Sequence, residues 1–355
     1  MRNKFILFSV FISFIVLSCQ DDSPELTFDP FTWKTSTPSA QNINSQILDS
    51  AYFAAEQLGY VDGLLIFRNG YLIAERYYNG YSTYFPHHVM SVSKSFLSAI
   101  TGIALQKGYF TLDDRVMDYF PEYVYDTIDV RKYDITISHL RNMRMGIDNE
   151  ENNLFDVLAT ENWIKTTIEL PLLSAPGEKF RYSSLQTHLL SAILTKTSGL
   201  STFDLTKKYL TDPMGIDIDH WSQDPQGYYF GGSEMFFDPR EMAVLGYLYL
   251  NGGKLRGEQI VPSDWVAISL TGTWEKNNPE WGVLKDYNYG YLWWLGKIND
   301  YEMFWALGHG GQMILTFPYL NLIVVTIADW DVPWEEEQTR PILELVSKYI
   351  LPAVN

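Results

Sequence analysis

A serine and a lysine three residues apart, Ser91 and Lys94, lie inside the stretch Met90-Ser91-Val92-Ser93-Lys94-Ser95-Phe96. A serine hydroxyl is a poor nucleophile until a neighbouring base takes its proton, and a neutral lysine amine can be that base. The run that follows has helical spacing. Phe96, Ile100, Ile103 and Ala104 recur on one face, Leu97 and Leu105 widen it, and Gly108 supplies a stop. Positions three apart on a helix are neighbours, with Cβ atoms about 5–6 Å from one another. A lysine in the first turn meets the positive end of the helix dipole, and burial lowers its pKa further, toward the neutral base. A cation where capping preferences favour an acid breaks a local rule, as functional sites do. The pair alone is a weak signal, because a chain of this length contains about one S-x-x-K by chance.

Two further stretches give the pair its meaning. Pro176-Gly177-Glu178-Lys179-Phe180-Arg181-Tyr182-Ser183-Ser184 places a tyrosine just before a helix, and Gly308-His309-Gly310-Gly311-Gln312 opens a strand. In this order the three resemble the serine β-lactamase and penicillin-binding-protein superfamily, in the branch of class C β-lactamases and family VIII carboxylesterases. The resemblance runs over about residues 45–350 and is helped by Gly108 to Val116, Asp212-Pro213-Met214-Gly215-Ile216 and the run from Tyr289 to Trp294. It implies an α+β, β-lactamase/transpeptidase-like fold, an antiparallel sheet flanked by helices with an all-helical insertion. By the same resemblance Ser91 is the acylated nucleophile, Lys94 its proton partner, and Tyr182 the phenol that shares the proton and helps activate water. The backbone N–H groups of Ser91 and Gln312 are the implied oxyanion hole, and Ser184, His309, Gly310 and Gly311 the substrate-binding residues. Two departures stand out: Ser184 replaces the asparagine of Y-x-N, and His309 the lysine of K-T-G. Both resemble the esterase and amide-hydrolase side of the branch, including 6-aminohexanoate-dimer hydrolases. Arg144, in Asn142-Met143-Arg144-Met145-Gly146, is unusual for this family's loop and receives no role.

The elements that must hold these groups are legible by pattern. A helix is expected over Ile47 to Leu58, then a hairpin over Gly63 to Ala74 turned by Asn69-Gly70. A mostly helical insertion follows over about 111–250. It includes helices at Asp134 to Met145, at Leu185 to Leu194 closed by Gly199, and at Glu241 to Leu250 stopped by Asn251-Gly252-Gly253. Strands return at Gly290 to Trp294, Met313 to Phe317 and Leu322 to Ile327, and a last helix at Thr339 to Ile350. Strands at both ends with helices between them predict a sheet completed by both termini. Tyr289, Trp293 and Trp294 are core candidates, of which one facing a cleft would pack on substrate. His87-His88 invites a metal reading, but adjacent side chains diverge and no third ligand has useful spacing, so no metal or other cofactor is expected.

Composition bounds the function. The 355 residues carry a formal charge of −17, with 46% hydrophobic and 19% charged residues. That describes a globular chain and argues against a nucleic-acid partner, whose phosphates would be repelled. The single cysteine, Cys19, rules out an internal disulfide. It follows basic Arg2 and Lys4 and an apolar run from Phe5 to Leu17, the layout of a secretory signal. Val16-Leu17-Ser18-Cys19 resembles the lipobox of bacterial lipoproteins, in which the cysteine is lipid-modified; an ordinary signal peptide with an incidental cysteine is the alternative. The expected organisation is a lipoprotein signal at 1–19, a flexible tether at 20–45, and a hydrolase domain at 46–355. That makes an exported, membrane-anchored protein of a bacterial envelope.

The expected function is a serine hydrolase working through an acyl-enzyme on small ester or amide substrates. The alternatives are a D-alanyl-D-alanine carboxypeptidase or β-lactamase, and, in another class, a non-catalytic ligand-binding sensor. His309 bears on the choice, since an unperturbed histidine has a pKa of about 6.5 and is mostly neutral where a lysine is a permanent cation. Weak turnover of carboxylate-bearing penicillins is the expectation.

Overall fold

The structure is a computed structural model and describes residues 31–274, 280–333 and 337–355. The expected signal and Cys19 lie outside the described residues. The first strands are β1 (Lys34–Thr35), β2 (Val61–Arg68) and β3 (Tyr71–Tyr77). Asn69 and Gly70 turn β2 into β3 with φ of 51° and 79°, the positive pair that a two-residue hairpin needs. A small sheet joins β4 (His87–His88), β5 (His220–Trp221) and β6 (Met235–Phe237), and a short hairpin joins β7 (Lys254–Leu255) to β8 (Glu258–Gln259). The last strands are β9 (Lys285–Tyr289), β10 (Trp294–Ile298), β11 (Tyr301–Gly308), β12 (Gln312–Phe317) and β13 (Leu322–Ala328).

Eight of these form one sheet in the order β1-β3-β2-β13-β12-β11-β10-β9, antiparallel apart from the β1–β3 pair. Its centre is therefore a pairing of the two ends of the chain, β2 with β13. Side chains alternate between faces along a strand, and here each face has its own core. Leu65, Phe67, Ile323 and Val325 join one apolar cluster; Leu64, Ile66, Leu322 and Val324 join the other. With both faces covered, these strands read as near-continuous apolar runs. The helices Ser45–Leu58 and Thr339–Leu345 cover one face. The helices Ser93–Gln106, Ser184–Ser198 and Pro239–Leu250 and the rest of the insertion cover the other.

Four expectations are corrected. The tether does not extend to residue 45. Trp33 donates its indole N–H to the Arg240 carbonyl at 3.0 Å, and Lys34 pairs with Tyr71, so the chain is part of the fold from Phe31 onward. The long helix at Asp134 to Met145 is a short one, Ile137–Arg141. A capping box of Thr136 and His139 starts it late, and Met143 at φ 60° ends it early. The strand expected at Gly290 to Trp294 is instead, as far as Trp293, the turn between β9 and β10, with Leu292 at φ 62° and the Gly290 N–H bonded to the Trp293 carbonyl. Lastly, the insertion is not wholly helical: β5 and β6 build the small sheet against β4. His87 is held there by Asp62 at 3.3 Å and His88 stacks on Phe236. Among the described residues no group of three His, Cys, Asp or Glu side chains could hold a metal ion, and no helix is long and apolar enough to cross a membrane.

Candidate active site

Ser91 sits in a single 3-10 turn, Met90–Val92, at the mouth of the helix Ser93–Gln106. The residue before it, Met90, has φ 50°, a left-handed conformation that costs a non-glycine residue about 1–3 kcal/mol and is typical of strained functional turns. Lys94 occupies the first turn of the helix and is 1% exposed. Its Nζ donates to the Ser91 hydroxyl at 2.7 Å, the Ser184 hydroxyl at 2.8 Å and the Gly232 carbonyl at 2.6 Å. Burial pushes its pKa down from 10.5 to about 8, against an opposing pull from Glu150. Spacing, local rule-breaking and burial thus agree on a lysine that is easily made neutral beside a serine.

Tyr182 stands at the end of the Pro176–Ser183 segment, just ahead of the helix Ser184–Ser198, whose N-cap is Ser183. The Lys94 Nζ lies 4.8 Å from the centre of its ring. Trp294 stacks on it at 5.7 Å, and Tyr289 meets it edge-on at 6.1 Å. Surrounded in this way, the phenol is pushed well above its ordinary range by lost hydration and by Glu150, with the Ser91 hydroxyl a smaller opposing influence. It is a neutral phenol at physiological pH, able to donate a proton but not to collect one. Ser91, Lys94 and Tyr182 are therefore brought together.

The remaining expected residues divide. Ser184 does adjoin Lys94, but its hydroxyl turns inward and donates to Glu150 Oε2 at 2.7 Å, while its backbone N–H reaches the same oxygen at 2.8 Å. Gly310 lines the cavity in front of Ser91; Gly311 and Gln312 do not. The reason is register. β11 continues to Gly308, which pairs with Gln312, so His309–Gly311 is the tight connection and the chain has already reversed at Gln312. Gln312 is fully buried and its side chain pairs both ways with the Ala328 backbone, at 2.7 and 3.0 Å. His309 borders the cavity, but its Nε2 is 2.8 Å from the Val332 carbonyl, to which it donates. It pins the segment after β13 and does not offer that nitrogen to a substrate carboxylate. Trp294 is the one cleft-facing aromatic of the three expected; Trp293 and Tyr289 are core. Arg144 acquires an account: its guanidinium donates to the Gly177 carbonyl at 3.1 Å and the Thr273 carbonyl at 2.7 Å, tying two loops together.

Sequence reasoning missed two contributors. Glu150, 4% exposed, lies in an Asn149-Glu150-Glu151 run that reads as solvated polar loop. Gly231-Gly232 reads as a turn but is a close approach. A Cβ at Gly231 would fall 2.1 Å from the Thr187 carbonyl oxygen, and one at Gly232 would fall 2.4 Å from the Ser184 Cβ. The loop carrying them is clamped to the helix Ser184–Ser198 by the buried His188–Asp224 pair at 2.9 Å and by Ser191 donating to the Tyr229 carbonyl at 2.7 Å. That clamp delivers the Gly232 carbonyl to Lys94. Adjacent glycines before an acidic and apolar run were the available signal.

Two connected lobes meet at Ser91. One, ≈ 260 Å³, is walled by Trp281, Trp294, Leu307 and Tyr182 with Glu151 and Glu337 at its rim. The other, ≈ 220 Å³, is walled by Leu154, Phe155, Leu158, Phe230 and Trp330 with Glu234 and Asp331. A separate cavity of ≈ 360 Å³ beside Phe31 and Arg256 holds none of these groups.

With this geometry in view, the comparisons with known proteins are consistent. The chain is 23% identical over 308 residues to a 6-aminohexanoate-dimer hydrolase of Paenarthrobacter ureafaciens, covering 80% of this chain and 77% of that one. The octameric penicillin-binding protein homologue of Pyrococcus abyssi superposes with a TM-score of 0.66 at 18% identity, over 88% of this chain and 78% of the other. EstCE1, a hydrolase with promiscuous acyltransferase activity, superposes with a TM-score of 0.68 at 17% identity, over 85% of this chain and 99% of its own. At those identities the two structures establish the shared fold. The Beta-lactamase family model matches residues 60–347, a span that holds Ser91, Lys94 and Tyr182 together with both halves of the central sheet, and the chain belongs to that family.

Proposed function

We propose that the protein is a serine hydrolase that forms an acyl-enzyme on small esters or uncharged amides. The observation that carries this is the 2.7 Å bond between Lys94 Nζ and the Ser91 hydroxyl, with the lysine buried and its proton loosened. Neutral Lys94 takes the Ser91 proton as Oγ attacks the carbonyl carbon. The carbonyl oxygen becomes the oxyanion, which in this reading accepts from the backbone N–H of Ser91 and from one near His309, where β11 ends. Each such donor is typically worth about 2.7–4 kcal/mol. The tetrahedral intermediate collapses, and the leaving group takes a proton from the Lys94–Tyr182 pair, whose titration belongs to both members. Water then repeats the sequence on the acyl-enzyme.

The walls speak to substrate. His309 aside, the charged groups lining the two lobes are acids: Glu150, Glu151, Glu234, Glu337 and Asp331. Glu337 is already paired with Arg340 at 2.8 Å. A substrate carboxylate meets no open cation there, and like charges repel strongly in a partly dehydrated cleft. This supports uncharged esters and amides over penicillins and D-alanyl peptides. The test pairs a fluorophosphonate with two substrates. One adduct per chain on Ser91 is expected, with kcat/KM for p-nitrophenyl butyrate at least about tenfold above that for nitrocefin. An unlabelled Ser91, or undiminished ester turnover by Ser91→Ala, would sink the serine mechanism; equal turnover of nitrocefin would sink only the substrate preference.

A further inference from the structure

The three hydrogen bonds of Lys94 raise a question about its proton. An amine donating to three acceptors is an ammonium, and an ammonium cannot take a proton from Ser91. One of its protons must leave first. Of its three partners, Ser91 is the group to be deprotonated and the Gly232 carbonyl cannot pass a proton on. Only Ser184 leads anywhere: its Oγ accepts from Lys94 Nζ at 2.8 Å and donates to Glu150 Oε2 at 2.7 Å. Glu150 is 4% exposed; its carboxylate accepts from the Ser184 backbone N–H, and its own backbone N–H donates to the Tyr182 carbonyl at 3.0 Å. A hydroxyl accepts and donates at once through a single oxygen, so it can hand a proton on. The asparagine amide of relatives can bridge the same groups but cannot relay a proton without tautomerising.

We propose that Glu150 primes the nucleophile through Ser184. A proton moves from Lys94 Nζ to Ser184 Oγ as the Ser184 hydroxyl proton moves to Glu150 Oε2, leaving a neutral amine, an intact serine and a neutral carboxylic acid. No proton enters or leaves the protein in this step. Lys94 then accepts the Ser91 proton during attack and returns one to the leaving group, and Glu150 keeps its proton until turnover ends. Glu150 is thus a positioning residue acting through Ser184, and its role rests on Ser91 being the nucleophile. Tyr182 cannot take its place as proton acceptor, since its phenol is held neutral, and so is that of Tyr289 beyond it. The other titratable groups lining the lobes around the cluster are Glu151 and Glu337 in one, Glu234 and Asp331 in the other, and His309 in both.

The arrangement makes a prediction with a sign. If the lysine and carboxylate exchange a proton internally, the active pair carries the same number of protons as the resting pair. Activity then persists below the pH at which Lys94 alone would shed its proton to water. Without the relay, Lys94 must lose that proton to solvent. The acid limb of kcat/KM for p-nitrophenyl acetate should therefore move up by at least about one pH unit in Glu150→Gln and in Ser184→Ala, measured from about pH 5.5 to 9.5. At neutral pH both variants should fall by at least about tenfold, and both should recover most of that loss at the alkaline end. If Glu150 acts only through its negative charge, Glu150→Gln removes a group that favours ammonium, and the limb moves down. A downward or unmoved limb in Glu150→Gln, or an unmoved limb in Ser184→Ala, overturns the relay. Should Glu150→Gln fail to fold, Ser184→Ala decides alone, because it leaves the buried carboxylate and its backbone bond in place. Ser91→Ala, run beside them, separates the two failures. Its activity loss with no upward shift defeats the relay only, whereas its retention of activity defeats the serine reading on which the relay stands.

Discussion

Lys94 carries opposite consequences for catalysis and for stability. Burial beside a helix N-terminus lowers its pKa to about 8 from 10.5, so below about pH 8 the folded protein holds a cation it would rather not hold. Between those two values the unfolded chain binds the extra proton, and native stability rises with pH across that window. Below it both states are charged and the penalty, on the order of 3 kcal/mol by linkage, is constant. Lys94→Met should therefore abolish turnover yet raise the midpoint of thermal unfolding at neutral pH. The gain should shrink as pH climbs from about 8 to about 10.5, where the native lysine is already neutral. Denaturation followed by circular dichroism at several pH values checks it; a variant less stable than the parent at pH 7 contradicts it. Ser91 and Lys94 were legible because their chemistry needs a fixed spacing along one helix. His309 was legible as a site residue but not in its role. Its Nε2 bond to Val332 joins positions far apart in the chain, and no local pattern encodes such a pairing.

At the scale of elements, the helix Ser184–Ser198 is a bench on which the loop through Gly231-Gly232 is laid. The expected helices with apolar spacing and glycine stops were found where caps were clear: Gly199 at φ 71° closes this one. Failures came where tertiary demands overrode local pattern. The aromatic run after Tyr289 has every mark of a strand, yet a Cβ at Gly290 would fall 2.1 Å from the Ser269 carbonyl oxygen, and the chain turns there to bring Trp294 to the cleft. The loop itself could not be read, because its glycines matter for what touches them. Gly232→Ala would drive a methyl group against Ser184 and lift the carbonyl from Lys94. Such overpacking typically costs about 1–3 kcal/mol, and we expect kcat/KM at least about tenfold lower with KM little changed. Unchanged kcat in a folded Gly232→Ala protein would show that the carbonyl does not matter to the lysine.

At the scale of the whole molecule, the α+β architecture, the sheet built from both ends and the helical layer were legible from the order of pattern types alone. What lies ahead of Phe31 is a separate matter. We propose that Cys19 is a lipid attachment site, on the strength of its place after the apolar run from Phe5 to Leu17. Cys19→Ser should abolish incorporation of labelled palmitate and move the protein from the membrane to the soluble fraction. Unlabelled wild-type protein found only in the soluble fraction would remove the anchor and leave the enzyme untouched.

The sheet also sets a timetable. Its middle is β2 against β13, and the two ends of the domain are tied again where Asn44 donates to the Ala353 carbonyl at 2.7 Å and Asn355 to the Asn42 carbonyl at 3.0 Å. A chain emerging from a ribosome or a translocation channel has β2 long before β13, and until the last strand arrives β2 has only the hairpin with β3, which is marginal in water. Pairings between distant positions form slowly. Ser91 and Lys94 can form their helix early, but the strand that walls the serine belongs to the late half. The nucleophile is therefore unassembled, and harmless, for almost the whole of its synthesis.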